Sequence, residues 1–203
     1  MSTGSIVLCG GHSRRMGRPK AWLPFAGEIM LARVVRLLSE VVHPIAVVAA
    51  PGQDVPPLSA DVAVVRDAVQ DRGPLQGLAA GLAALSGRAE AAYLSSCDVP
   101  LLRPAFVQRL ITLLGDYIVC VPHVGGHYHP LAAVYRLEAA GAVARLLAED
   151  RLRPLFLFKA VPTRVVEAAE LADVDSTFQT LRNLNTPEDY EAALRDAKGN
   201  QQK

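Results

Sequence analysis

The sequence predicts an α/β fold, a mostly parallel sheet joined by crossover helices with a mixed or antiparallel C-terminal part. Three observations carry this expectation. Short apolar runs alternate with segments of helical period along most of the chain, as crossover units around a parallel sheet require. After residue 117 the alternation changes, and "VPHVGGHYHPLAAVYR" reads as two strands joined through a Gly-Gly turn, which suggests an antiparallel or mixed edge. The 203 residues, 51% of them hydrophobic, are enough for one domain with a substantial core and few for two.

The elements follow in chain order. The run "SIVLC" at 5–9 reads as the first strand. Segment 30–42 has apolar residues at three- and four-residue spacing and reads as a helix. Strands are expected at 45–50 and 62–65, a helix at 75–85 and a strand at 91–95. Pro104 suits a first helical turn, where its missing N–H would be unpaired anyway, so a helix is expected over 104–114. Strands at 117–121 and 131–135 flank the Gly-Gly turn, followed by a helix at 137–149 and a strand at 163–166. Thr186 before Pro187 and Glu188 reads as the N-cap of a last helix at 188–195 with an acidic first turn. A single domain is expected over 1–196, with the polar 197–203, "AKGNQQK", as a frayed tail.

The composition narrows the function. A formal net charge of +1 gives no global attraction to nucleic acid or an anionic membrane, so neither is expected as a partner and any anion must be handled locally. No apolar run reaches bilayer-spanning length and no basic-apolar leader precedes the first strand, so the expected location is cytoplasmic. Cys9, Cys97 and Cys120 are too few and scattered for a disulfide framework and are expected to be reduced and buried.

In an open α/β sheet, ligands bind beyond the carboxyl ends of the strands, which directs attention to four segments. In "LCGGHSRRMGRPK", residues 8–20, Gly10 and Gly11 let the backbone approach a ligand, while Arg14, Arg15, Arg18 and Lys20 supply charge for phosphate. Neither GxxxxGK[ST] nor GxGxxG is present, which removes the main support for ATPase and dehydrogenase readings and leaves a solvated basic loop as the alternative. In "YLSSCDVPLL", residues 93–102, Asp98 stands at a strand's carboxyl end, where it could hold Mg²⁺ against a phosphate or simply cap a turn. In "RDAVQDRGPLQGL", residues 66–78, Asp67 ends a strand and Gly73-Pro74 opens a helix whose N-terminus would face the same crevice, although a helix start needs no ligand. In "NLNTPEDY", residues 183–190, Asn185 and Thr186 could be no more than a helix cap.

Two further signals are weaker. His127 and His129, two apart, would share one strand face near His123, but no Cys or third ligand stands at a zinc-site spacing. Cys97 beside Asp98 has no base placed next to it by the sequence and reads better as a small buried residue than as a nucleophile.

With "LCGGHSRRMGRPK", "GPLQGL", "CDVPLL", "HPLAAVYR" and "NLNTPEDY" in this order from residue 8 to residue 190, the chain resembles the molybdenum cofactor guanylyltransferases, the MobA-like nucleotidyltransferases. The resemblance implies a Rossmann-like three-layer nucleotidyltransferase fold. It implies Mg²⁺-dependent transfer of GMP from GTP to the terminal phosphate of molybdopterin, with release of pyrophosphate. It also implies transient contact with molybdenum insertion proteins and target molybdoenzymes. Leu8, Cys9 and Gly10 match the family's backbone contacts to the nucleotide, Lys20 its phosphate-binding lysine, Asp67 a nucleotide-contacting aspartate and Asp98 the metal and nucleotide aspartate. The chain departs from the family in having Pro19 where Asp often precedes the lysine, as in related cytidylyltransferases, and Ala49 or Ala50 where some members place Asn.

Nucleotidyl transfer needs positioning and charge stabilisation more than covalent help, because a phosphate oxygen is already a nucleophile near neutral pH. On this reading Asp98 holds Mg²⁺, Arg15 and Lys20 hold the β- and γ-phosphates, and Gly10 and Gly11 give backbone contacts. Gly73, Pro74 and Leu75 lie beside the base, and His129 and Asn185 lie near the second substrate. The alternatives are a cytidylyltransferase for the same cofactor, another small-molecule nucleotidyltransferase, and a nucleotide-binding adaptor that has lost catalysis.

Overall fold

Parallel strands covered by helices on both faces carry apolar residues on both sides, and the central strands here do so. In the computed structural model, β1 (Thr3–Leu8) is buried along its middle, while β4 (Ile45–Ala49) and β6 (Ala91–Ser96) are buried at every residue. The structure describes residues 1–10, 18–67, 69 and 72–200, with the backbone alone for 198–200. Among these, no helix is long and apolar enough to cross a membrane.

β1 pairs in parallel with β4 and β6, and β4 pairs in parallel with β5 (Ala63–Arg66). Beyond β6 come β9 (Ala133–Arg136), β7 (Val119–Val124) and β10 (Thr163–Glu167), giving the order β10-β7-β9-β6-β1-β4-β5. β9 is antiparallel to both of its neighbours, and β10 is parallel to β7. The short β8 (His127–Tyr128) pairs antiparallel with β7 across the glycine turn. The antiparallel element thus lies inside the sheet, not at the edge that the sequence suggests. A hairpin pattern reports relative direction, whereas strand order is set by contacts far apart in the chain.

The helices fall on the two faces. On one, α1 (Met30–Ser39) and α3 (Pro104–Leu113) pack Leu31, Val34, Leu38, Phe106 and Leu110 against Val7, Val47 and Tyr93. On the other, α2 (Pro74–Ala84), α4 (Ala140–Ala148) and α5 (Pro154–Ala160) bury Leu75, Leu78, Val143, Leu146 and Leu157 against Ile6, Val48 and Leu94. A third apolar cluster joins the hairpin β2 (Pro24–Phe25) and β3 (Glu28–Ile29) to α6 (Pro187–Asn200), through Leu23, Phe25, Met30, Leu184 and Ala193. This cluster brings the segments after β1 and before α6 to the same end of the sheet.

Several boundaries differ from expectation for local reasons. Residues 130–132 form a 3-10 turn that Pro130 opens, so β9 starts at Ala133. The helix expected over 137–149 begins with a 3-10 turn at Leu137–Ala139 before α4. α6 continues to Asn200, beyond the expected end at 195 and into the segment expected to fray.

α2 approaches β1 closely because it presents glycines there. A Cβ on Gly81 would lie 2.4 Å from Ile6 Cγ2 and 2.7 Å from its Cδ1. Gly81→Ala is therefore expected to lower the melting midpoint. Overpacking a filled core costs about 1–3 kcal/mol, more than the roughly 0.5–1 kcal/mol that alanine adds to a helix interior. A thermal melt against wild type checks it, at about 2–4 °C per kcal/mol lost for a chain of this length.

Candidate active site

Because β1, β4, β5 and β6 are parallel, their carboxyl ends open on one side, and the chemistry-bearing segments follow those ends. Asp98 lies just past β6 and is 8% exposed. Its Oδ1 accepts hydrogen bonds from Ser96 Oγ at 2.6 Å and Asn183 Nδ2 at 2.8 Å. Asn183 Nδ2 also donates to Ser96 Oγ at 3.1 Å, which closes a small network. The other carboxylate oxygen, Oδ2, takes Lys20 Nζ at 2.7 Å. Lys20 Nζ donates in addition to Asn185 Oδ1 at 2.8 Å. Residues 20, 98 and 185, distant in sequence, thus meet at one point.

Local structure explains each placement. Lys20 opens a 3-10 turn, Lys20–Trp22, whose buried Ala21 anchors it, and Pro19 supplies the extended residue before it. Leu184 is fully buried between Asn183 and Asn185, and its N–H donates to Asp98 O at 2.9 Å, so both flanking amides are held beside the carboxylate. Thr186 and Asp189 cap α6 reciprocally. Asp189 N donates to Thr186 Oγ1 at 3.2 Å and Thr186 N to Asp189 Oδ2 at 2.9 Å. The backbone N–H groups of Asn185 and Thr186 hold the Asp189 carboxyl below its usual range.

At the carboxyl end of β1, the Cys9 N–H is bonded to Val48 O at 2.8 Å, and Leu8 O accepts Cys97 N at 3.0 Å. Cys9 O accepts Gln53 Nε2 at 2.9 Å, while Gln53 Oε1 accepts Ala50 N at 3.0 Å. Leu8 and Cys9 can therefore offer a ligand a second carbonyl lone pair, and Gly10 an exposed backbone. Gln53 supplies a side-chain amide next to Ala49 and Ala50, the positions where the sequence offers no Asn. The Cys97 thiol beside Cys9, more than the Gln53 N–H and the Arg66 charge, lowers the Cys9 pKa against the opposing effect of burial. Burial pushes the Cys120 thiol up to about 12.

The remaining expected residues divide clearly. Asp67 follows β5, with its N–H on Ala49 O at 2.8 Å, and its carboxylate accepts Val69 N at 3.3 Å in a local turn. Gly73 precedes α2 at φ 75°, a conformation that glycine permits, and Pro74 occupies the first turn. Leu75 is 1% exposed and packs into the core against Ile6 and Val48, so its side chain does not face a ligand. His127 lies in β8 and His129 after it, ahead of the 3-10 turn, so they do not share one strand face; the proline-led turn at Pro130 ends the strand pattern. His129 Nε2 lies 3.2 Å from Val124 O, and burial lowers its pKa. Gly11, Arg14 and Arg15 lie outside the described residues.

Ser96, Asn183 and Gln53 escape the sequence reading. Ser96 stands two residues before Asp98, the spacing that shares a strand face, and this signal could have found it. Asn183 precedes Asn185 by the same interval.

The donor set suits a hard divalent cation bound jointly with a nucleotide. Mg²⁺ is usually held by one or two carboxylates together with substrate phosphates and water, and Asp98 presents such a carboxylate beside the Lys20 ammonium. Among the described residues no group of three or more His, Cys, Asp or Glu could hold a metal by itself.

Comparison with known proteins gives a consistent picture. Residues 5–165 match the family model described as the MobA-like NTP transferase domain. A "Probable molybdenum cofactor guanylyltransferase" of Mycobacterium avium (strain 104) is 36% identical over 197 residues, which is 95% of each chain. The crystal structure of molybdopterin-guanine dinucleotide biosynthesis protein A from Archaeoglobus fulgidus has the same fold, with a TM-score of 0.78 at 19% identity, covering 98% of this chain and 100% of that one. A Mycobacterium tuberculosis H37Rv protein solved in complex with manganese also shares the fold, with a TM-score of 0.65 at 20% identity, covering 96% of this chain and 99% of that one.

Proposed function

This chain belongs to the MobA-like NTP transferase family and is an enzyme that transfers a nucleotide, and from that premise we propose its reaction. It moves GMP from GTP to the terminal phosphate of molybdopterin, giving the guanine dinucleotide cofactor and pyrophosphate, with Mg²⁺ as the metal. The observation that carries this reading is the meeting of Lys20 and Asp98 beyond β6, bracketed by Asn183 and Asn185.

The chain's residues would act by positioning. Bound at Asp98, Mg²⁺ would neutralise charge developing on the transferring phosphate. Lys20, which donates to Asp98 Oδ2, would also hold the β- and γ-phosphates and, with Arg15, offset charge on the leaving pyrophosphate. Ser96 and Asn183 both donate to Oδ1, which orients the carboxylate and leaves Oδ2 directed toward Lys20 and the metal it would hold. Gly10 and Gly11 would contact the nucleotide through backbone, and the N-terminus of α2 at Gly73 and Pro74 would take the base. Asn185 and His129 would contact the second substrate. No residue need act as a base, since the attacking phosphate oxygen is already ionised.

Groups that orient a metal-binding carboxylate usually matter 10–100-fold. Asn183→Ala is expected to lower turnover by about that factor, with a shift in the Mg²⁺ concentration giving half-maximal rate and an unchanged GTP requirement. A steady-state Mg²⁺ titration checks it. A melting experiment tests the base preference. With Mg²⁺ present, GTP is expected to raise the midpoint at concentrations where CTP does not, because a ligand that binds only the folded chain stabilises it. Equal or greater stabilisation by CTP would move the assignment to the cytidylyl reaction.

A further inference from the structure

The sequence treats the cysteines as inert, yet two of them meet. The β1–β6 ladder runs in register from Thr3 opposite Ala91 to Leu8 opposite Ser96, so the next pair is Cys9 and Cys97. Hydrogen bonds from Cys9 N to Val48 O and from Cys97 N to Leu8 O keep both residues along the strand paths. Both side chains belong to the same apolar cluster as Val7 and Tyr93, hence to the same face of the sheet. Neighbouring strands lie about 4.7–4.9 Å apart, within the roughly 4.4–6.8 Å between Cα atoms that a disulfide spans. Cys9 and Cys97 are 4% and 6% exposed, against 0% for Cys120. Gln53 Nε2 donates to Cys9 Sγ at 3.4 Å and fixes that sulfur. Nucleotidyl transfer uses neither sulfur.

We propose that Cys9 and Cys97 form an oxidation site that takes a hydroperoxide and closes a disulfide across the ends of β1 and β6. Cys9 sulfur attacks the O–O bond of hydrogen peroxide, forming Cys9 sulfenic acid, and the departing hydroxide takes the thiol proton as water. Cys97 sulfur then displaces the hydroxyl from Cys9 sulfur, which leaves with the Cys97 proton as a second water. Two thiols are oxidised by two electrons and one peroxide is reduced to two waters. Gly10 follows Cys9 and Asp98 follows Cys97, so the new bond pulls together the backbone on which the nucleotide and metal would sit. This consequence for nucleotide rests on the reading under Proposed function; the bond itself does not.

The test treats the whole protein with equimolar hydrogen peroxide, then alkylates it under denaturing conditions and maps it by mass spectrometry. The expected product has lost two hydrogens, carries a label on Cys120 alone and yields a Cys9–Cys97 cross-linked peptide that dithiothreitol removes. In Cys97→Ala, the expected product is a sulfenic acid at Cys9 that dimedone traps, with no loss of two hydrogens. Labels on all three cysteines after peroxide, or a bond that includes Cys120, would overturn the proposal. In a separate arm, the oxidised protein is expected to lose its GTP-dependent melting shift and regain it with dithiothreitol. A cross-link that forms without altering that shift would overturn only the link to nucleotide. Failure of the reduced protein to respond to GTP would instead count against the proposed function.

Discussion

Asp98→Asn is expected to reduce turnover by about 10²–10³, the loss typical when one preorganised charge-stabilising group is removed. The amide keeps the shape of the carboxylate and can still accept from Ser96 and Asn183 through one oxygen, but it cannot offer the charge that a divalent cation needs. The loss should appear in kcat and should not be recovered by raising GTP. Asp98→Ala should do as much damage to turnover and should also cost stability. It removes one acceptor from Asn183 Nδ2, which keeps Ser96 Oγ, and one from Lys20 Nζ, which keeps Asn185 Oδ1, and each hydrogen bond lost to a charged group costs about 1.5–3 kcal/mol. Measuring kcat and melting midpoint for both variants separates the chemical effect from the structural one. Near-normal Mg²⁺-dependent turnover in Asp98→Asn would remove this residue from the metal site.

Lys20→Ala is expected to cost about 2–4 kcal/mol of transition-state stabilisation, read as a fall in kcat/KM with GTP. A second effect of opposite sign should accompany it. Lys20 Nζ donates to Asp98 Oδ2 at 2.7 Å, so its ammonium competes with a cation for that oxygen. Without nucleotide, Mn²⁺ should therefore bind the variant more tightly than wild type, as measured by the paramagnetic signal of free Mn²⁺. A lysine that served only to fold the loop would give weaker catalysis and no gain in Mn²⁺ affinity. Lys20→Arg is not expected to rescue the rate, because the planar guanidinium cannot replace a compact ammonium held between Asp98 and Asn185.

Much of this arrangement can be read along the chain, where the relevant physics is local. The apolar runs that became β1, β4 and β6 are legible because burial on both faces leaves no polar alternation. Pro104 and Thr186 mark helix starts because the chemistry of unpaired N–H groups acts within one turn. Non-local features escape. The place of β9 between β6 and β7 depends on pairings made across the sheet, and α5, with only seven residues, is too short for its period to stand out. Asp98 is recognisable from its position after an apolar run, but its partners are not. Ser96 is two residues away in sequence, whereas Asn183 and Lys20 reach it only because the Leu23, Phe25 and Leu184 cluster closes that end of the domain. The contact of Lys20 with Asp98 is equally hidden, since in sequence both residues point to a ligand and neither points to the other.

Isotope exchange between labelled pyrophosphate and each nucleoside triphosphate tests the central claim most directly, because it reads transfer at the α-phosphorus and the choice of base together. With molybdopterin and Mg²⁺ present, the account predicts that label enters GTP alone and that Asp98→Asn and Lys20→Ala each suppress the exchange. Label entering CTP in preference to GTP, or full exchange in the Asp98→Asn variant, would contradict it.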